Sequence, residues 1–318
     1  LVFVLRKKPF LQEEIGFLHQ AMLQMGFHPG ISFFPYIQAP LNPVLTSLGR
    51  GERTAADVER LVGERGYNID PVSDNDPFFY NFEKGMPKSV SLVLWASSFL
   101  LLLVAAFPFF MKNNGRMSPQ ENRSRRTGLL FRAVLLFSML GVGFMLIEIS
   151  LMQKFALFLG RPVFSLAALL FSLLTGAGLG GLWSRGLPPT RMTRGIALAS
   201  LGVAVVVWGY TLVLPLIFDR LLGLAFAIRI GVAIALLLPL GFCMGIPFPL
   251  GIRMLKEAQR EHLIPWMWGI NGLGSVLGSV LTIALAIRFG FAEALAVSSA
   301  FYLVVFLLFR KSPLRTEG

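Results

Sequence analysis

From Ser89 onward the chain alternates long apolar runs with short polar breaks. The runs cover 89–111, 129–153, 163–183, 195–217, 227–248, 266–287 and 292–309. A helix of about 20 apolar residues crosses a bilayer core, and each run is of that order. The pattern predicts a mainly α fold, a polytopic membrane helix bundle of about seven spans.

The first 88 residues read differently. Leu1-Val2-Phe3-Val4-Leu5 is apolar on both faces, as in a central strand of a parallel sheet. Arg6-Lys7-Lys8-Pro9 breaks it, and residues 11–25 predict a helix. Ile15, Leu18, Met22 and Met25 share one stripe of that helix. Glu13 and Glu14 sit in its first turn, where the helix dipole favours anions, and Gly26 stops it. Ile31 to Phe34 predict a second strand. Strand, helix, strand is the tail of an α/β sheet domain. A strand buried on both faces needs neighbours that this chain does not supply, so its start reads as a truncation of a longer protein. Residues 35–49 carry three prolines and read as loop. Thr54 to Arg65 predict a short helix, with Thr54 as N-cap, Asp57 three residues on and Gly66 following. Then comes an acidic turn running into aromatics, Asp74-Asn75-Asp76-Pro77-Phe78-Phe79-Tyr80-Asn81-Phe82. The expected organisation is a soluble segment over 1–88, a transmembrane domain over 89–311 and a tail over 312–318.

Composition fits the membrane reading. Hydrophobic residues make up 55% of the chain and charged ones 14%, against roughly 25% charged in soluble domains. The net charge of +12 does not point to nucleic acid, because the basic residues sit in short loops beside the spans, with no zinc-finger spacing and no basic stripe interleaved with aromatics. Their partner is the lipid bilayer. Fifteen lie on one side, in the first, third and fifth loops and the tail, and five on the other: Lys154, Arg161, Arg220, Arg229 and Arg288. This bias places the C-terminus in the cytoplasm and, through seven spans, residues 1–88 outside. The single cysteine, Cys243, lies in a span and excludes an internal disulfide or a cysteine-based zinc site.

Few residues suit chemistry. Gly176-Ala177-Gly178-Leu179-Gly180-Gly181 matches the G-x-G-x-x-G letters but lies inside a span, without the strand–turn–helix context that cradles a pyrophosphate. Close helix packing explains it better, as it does Gly241-x-x-x-Gly245 and Gly274-x-x-x-Gly278. Glu148 is the only carboxylate well inside an apolar run, with Gln153 and Lys154 beyond it. It reads either as a proton or cation site or as an interfacial residue paired with Lys154. Pro247 and Pro249 interrupt the fifth span by removing two donors. Such a break either lines a transport site or ends the helix at the interface. Asn271, about a turn inside the sixth span, either hydrogen-bonds across helices or coordinates a ligand. The three histidines stand at no metal spacing.

Four motifs together resemble the bacterial membrane-bound spermidine synthase-like proteins, also described as fused major-facilitator/spermidine synthase proteins. They are Asp74 to Phe82; Phe144-Met145-Leu146-Ile147-Glu148-Ile149 with Gln153 and Phe158-Leu159-Gly160-Arg161-Pro162; Gly245-Ile246-Pro247-Phe248-Pro249-Leu250-Gly251; and Trp268-Gly269-Ile270-Asn271-Gly272 with Ser275-Val276-Leu277-Gly278. The resemblance implies a multi-pass protein of the bacterial inner membrane. Residues 1–88 would be the C-terminal remnant of a Rossmann-like domain, with 1–34 its last strand–helix–strand portion, and the upstream part of the same polypeptide a partner. It also implies aminopropyl-transferase chemistry in polyamine biosynthesis, with S-adenosylmethionine or its decarboxylated form as cofactor of the parent protein. The nucleotide loop and catalytic acids would lie upstream of Leu1, so no catalytic or cofactor-binding residue is carried over and this chain alone should not be catalytic. Asp74 and Asp76 either bind a cationic amine such as a polyamine substrate or form an Asx-type turn. An adenosyl-cofactor domain belongs in the cytoplasm, whereas the loop charges put it outside. Either the span count is off by one or the domain is not a conventional cytosolic synthase. Two other functions fit the same residues: a transporter or exporter of polyamines or other cations through Glu148, the proline break and Asn271, or a membrane anchor and assembly module.

Overall fold

The computed structural model describes residues 9–26, 34, 47–48, 51–64, 66, 73–75, 77–78, 85–110 and 123–310. The chain forms two compact units, one of residues 1–71 with 80–84, the other of residues 72–79 with 85–318. The segment 72–79 thus belongs with the bundle rather than with the residues around it.

The first unit holds α1 (Gln12–Gln24) and α2 (Ala55–Glu64). The Glu14 carboxylate accepts from the Leu11 amide at 2.9 Å and closes the start of α1. Ile15 is buried and Leu18 and Met22 are half-buried, but Met25 is exposed. The helix stops before it, and Gly26 turns the chain at φ 79°, so the predicted stripe is one turn shorter. In α2 the expected cap forms. Asp57 accepts from the Thr54 amide at 3.0 Å and hydroxyl at 2.8 Å, while the Thr54 hydroxyl accepts from the Asp57 amide at 3.3 Å. These bonds hold the Asp57 carboxyl below its usual range, the backbone one most. No strand occurs among the described residues, and the Rossmann-like remnant is not seen in them. Residues 1–5 and 31–33, where the strands were expected, and most of the predicted loop 35–49 lie outside the described residues.

The second unit is helical: α3 (Lys88–Phe110), α4 (Arg123–Leu159), α5 (Pro162–Ser184), α6 (Met192–Leu221), α7 (Phe226–Gly245), α8 (Pro247–Glu257), α9 (Ile264–Phe289) and α10 (Phe291–Phe309). Among the described residues seven helical segments are long and apolar enough to cross a membrane, α7 and α8 counting as one. This is a multi-pass membrane bundle. Helix α4 is the most buried span and α3 the least. It packs along α9 and α10, and also meets α5 and α8.

In lipid, apolar side chains gain little by leaving other hydrocarbon, so close backbone packing holds helices together. Two glycine seams supply it here. On α5 and α7, Gly176 lies against the Leu238 carbonyl, Gly180 against Phe242, Gly241 against Leu173 and Gly245 against Ala177. The partner numbers rise together, so α5 and α7 run parallel. On α4 and α9, Gly274 lies against the Ser138 carbonyl and Gly278 against Val142, again in parallel. The dinucleotide-like letters of α5 are therefore one half of a helix crossing.

At the proline break α7 ends at Gly245 after 20 residues, about the length that crosses a bilayer core, and α8 begins at Pro247. Only Ile246 separates α7 from α8, with helical angles of φ −79° and ψ −45°. The ladder is stretched there: Ile246 reaches the Cys243 carbonyl at 3.5 Å and Leu250 the Ile246 carbonyl at 3.4 Å. Helix continues to Glu257, so Arg253 and Lys256, expected in a loop, are helical. Arg253 donates to the carbonyls of Ser184 at 2.9 Å, Arg185 at 3.3 Å and Leu187 at 3.1 Å, capping the end of α5.

Candidate functional site

The residues singled out in the sequence gather at two places along α4, with Glu148 between them. The first joins α4, α8 and α9. Asn271 donates from Nδ2 to the Phe137 carbonyl at 3.1 Å. The Phe137 ring meets Phe248, the residue between the two prolines, edge-on at 4.9 Å. Phe248 meets Trp268 at 4.7 Å. Gly251 admits the Phe137 ring, because a Cβ there would lie 3.0 Å from its ring atoms. Pro247 is buried and Pro249 half-buried. Two motifs far apart in sequence thus close on one α4 phenylalanine. Asn271 takes the cross-helix hydrogen bond that was one of its two readings. Phe137 escaped notice because an apolar residue in an apolar span carries no signal.

The second place is the turn between α9 and α10. Asn75 accepts through Oδ1 from the Ala292 amide at 2.7 Å, and its backbone carbonyl accepts from the Phe291 amide at 2.9 Å. Its Nδ2 donates to the Glu293 carboxylate at 3.0 Å. Phe78 stacks on Phe291 with centroids 5.6 Å apart. Helix α10 begins with orphan amides like any helix, and this turn satisfies two of them. Gly290 precedes them at φ 100°, against the Asn75 side chain, so a side chain there is excluded by both angle and space. Glu293 also acts electrostatically on Lys154 of α4.

The acidic turn is therefore a cap on the last span, centred on Asn75. Asp74 is exposed, and Asp76 lies outside the described residues. The legible signal was Gly290-x-x-Glu293, with glycine at the N-cap and a carboxylate at the third helical position. Since Asn75 meets the start of α10, Asn75 and Arg310 lie at opposite ends of a 19-residue span.

Glu148 and Gln153 are half-buried. Among the described residues no ion pair joins Glu148 to Lys154. Six residues turn an α-helix through about 240° beyond a full turn, so the two side chains leave different faces. Helix α4 also runs on to Leu159. Among the described residues no three metal-ligating side chains gather.

Compared with known proteins, the chain matches no family model, no curated protein and no solved structure.

Proposed function

We propose that the chain is the membrane scaffold of a spermidine synthase-like integral membrane protein, in which the bundle anchors a soluble domain at the membrane. The observation that carries this reading is the Asn75 cap. The motif that opens the resemblance fastens the polypeptide to the first turn of α10. Residues 72–79 belong to the helical unit, between two stretches that belong to the first unit. Residues of the last two motifs pack on α4, Phe248 and Asn271 on Phe137 and Gly278 on Val142.

The charge bias favours a cytoplasmic C-terminus, and Asn75 lies at the other end of α10. Both argue for a soluble domain outside the cytoplasm, and hence against a synthase drawing on the cytosolic adenosyl cofactor. The chain in nanodiscs, supplied with putrescine and decarboxylated S-adenosylmethionine, should form no spermidine; its formation would overturn the scaffold reading.

One observation favours transport as the second reading: Glu148 is a half-buried carboxylate within a span, with no ion-pair partner among the described residues. Glu148→Gln should abolish cation-coupled uptake or efflux by proteoliposomes under that reading, and unchanged flux would remove it.

A further inference from the structure

Two arginines meet over one aromatic ring at the end of the bundle where α5 and α7 begin. Arg161 directly precedes α5, and its guanidinium carbon lies 5.0 Å from the Phe226 ring centroid and 5.9 Å from that of Phe164. Arg229, in the first turn of α7, lies 6.0 Å from the same Phe226 centroid. The two rings meet edge-on at 5.3 Å. Both guanidinium groups thus lie within 6.0 Å of one ring centroid, at an end of the bundle that is otherwise poor in basic residues. Neither helix has an acidic residue in its first turn, and among the described residues no carboxylate pairs with either arginine.

Their donors are largely unspent. Arg229 gives Nη1 to the Phe158 carbonyl at 2.8 Å and so caps α4, but its Nε–H is buried without an acceptor. Arg161 is exposed, and no side-chain hydrogen bond ties it to a described residue. The glycine seam makes α5 and α7 parallel neighbours, so both begin at the end of the bundle where Arg229 caps the last turn of α4.

We propose that Arg161 and Arg229 form a phosphate-binding site, with Phe164 and Phe226 as its apolar floor. A guanidinium is a planar fork that recognises phosphate through paired hydrogen bonds. Each non-bridging phosphate oxygen carries more than one lone pair, so the two of a phosphodiester, like those of free phosphate, can accept from both arginines. The site lies where apolar spans end, at headgroup depth, so the phosphate comes either from a phospholipid or from solution.

The test uses the intact protein in dodecyl maltoside, with short-chain phosphatidylglycerol counted by native mass spectrometry. The wild type should hold one copy about tenfold more tightly than R161Q, the equivalent of one charge-assisted hydrogen bond. R161K, which keeps the charge and loses the fork, should fall close to R161Q. Arg161 is exposed, so both variants should unfold at the wild-type temperature. If millimolar inorganic phosphate displaces that copy from the wild type, the site stands and takes free phosphate; if not, it stands as a lipid headgroup site. Equal affinity of wild type, R161Q and R161K would overturn it.

Discussion

A methyl group added at Gly241 or Gly245 should loosen the bundle, whereas one added at Gly178 should not. At Gly241 the new carbon would lie 2.6 Å from the Leu173 carbonyl oxygen and 2.9 Å from its Cα. At Gly245 it would lie 2.6 Å from the Ala177 carbonyl carbon, with the Ala177 oxygen closer still. Ordinary van der Waals contact begins near 3.4 Å, and the obstacle is helical backbone, which cannot swing aside as a side chain can. Helices α5 and α7 would have to separate by most of an ångström along the seam. Overpacking of this kind costs about 1–3 kcal/mol, and about 2–4 °C in Tm accompanies each kcal/mol in a domain of this size. Gly178 has nothing within 4 Å of the added carbon, so alanine there adds only helix propensity, worth up to about 1 kcal/mol. The assay is thermal unfolding in detergent with a fluorogenic maleimide. Cys243, the only thiol of the chain, lies on the face of α7 turned to Gly202 of α6, so its labelling reports unfolding of the bundle as a whole. G241A and G245A should unfold several degrees below the wild type, with G178A at or above it. Unfolding of G245A at the wild-type temperature, or an equal loss in G178A, would refute the packing argument.

Three further outcomes follow from the geometry. Asn75→Ala removes the acceptor for the Ala292 amide and the donor to Glu293 and should cost about 1 kcal/mol at the start of α10, read as faster hydrogen exchange at residues 291–293; unchanged exchange would dismiss the cap. Asn271→Leu removes the bond to the Phe137 carbonyl and should cost only about 0.6 kcal/mol, the mean for cross-helix bonds in a bilayer; a loss of several times that would mean Asn271 does more than pack. Asp57 has its carboxyl pulled below the usual range by the Thr54 bonds. Its contribution to α2 is therefore full above the unfolded pKa of about 4 and lost as pH falls through the lower folded value. Exchange at residues 54–58 should rise in that acid window and stay flat in Asp57→Asn.

The spans were legible because lipid imposes one rule, about 20 apolar residues per crossing. The predicted run 163–183 and the observed helix Pro162–Ser184 differ by one residue at each end. The glycine seams were legible as small residues four apart, although the sequence did not show that Gly176 and Gly180 of α5 pack on α7 and Gly241 and Gly245 of α7 on α5. The break at Pro247 is present as a single turn residue, Ile246, between α7 and α8. Losing two amide donors weakens a ladder, but the segment is clamped by Gly245 on Ala177 and by Phe248 between Phe137 and Trp268, so helix resumes at Pro247. At the acidic turn the charges drew the eye to Asp74, whereas the neutral Asn75 makes the contacts. An amide both donates and accepts, and the place needs an acceptor for Ala292 and a donor for Glu293. The caps made by Arg229 and Arg253 were hidden in the loop charges because a cap depends on which helix end is near, a tertiary fact.

The central claim is that seven spans set the Asn75 turn and the C-terminus on opposite faces of the membrane, with the turn outside. The direct measurement is labelling by a membrane-impermeant maleimide, in intact cells, of two single-cysteine proteins on a Cys243→Ala background, Asp74→Cys and Arg310→Cys. Both positions are exposed. The account predicts labelling of D74C from outside and of R310C only after the membrane is opened. Labelling of both from the same side, or of R310C alone in intact cells, would contradict it.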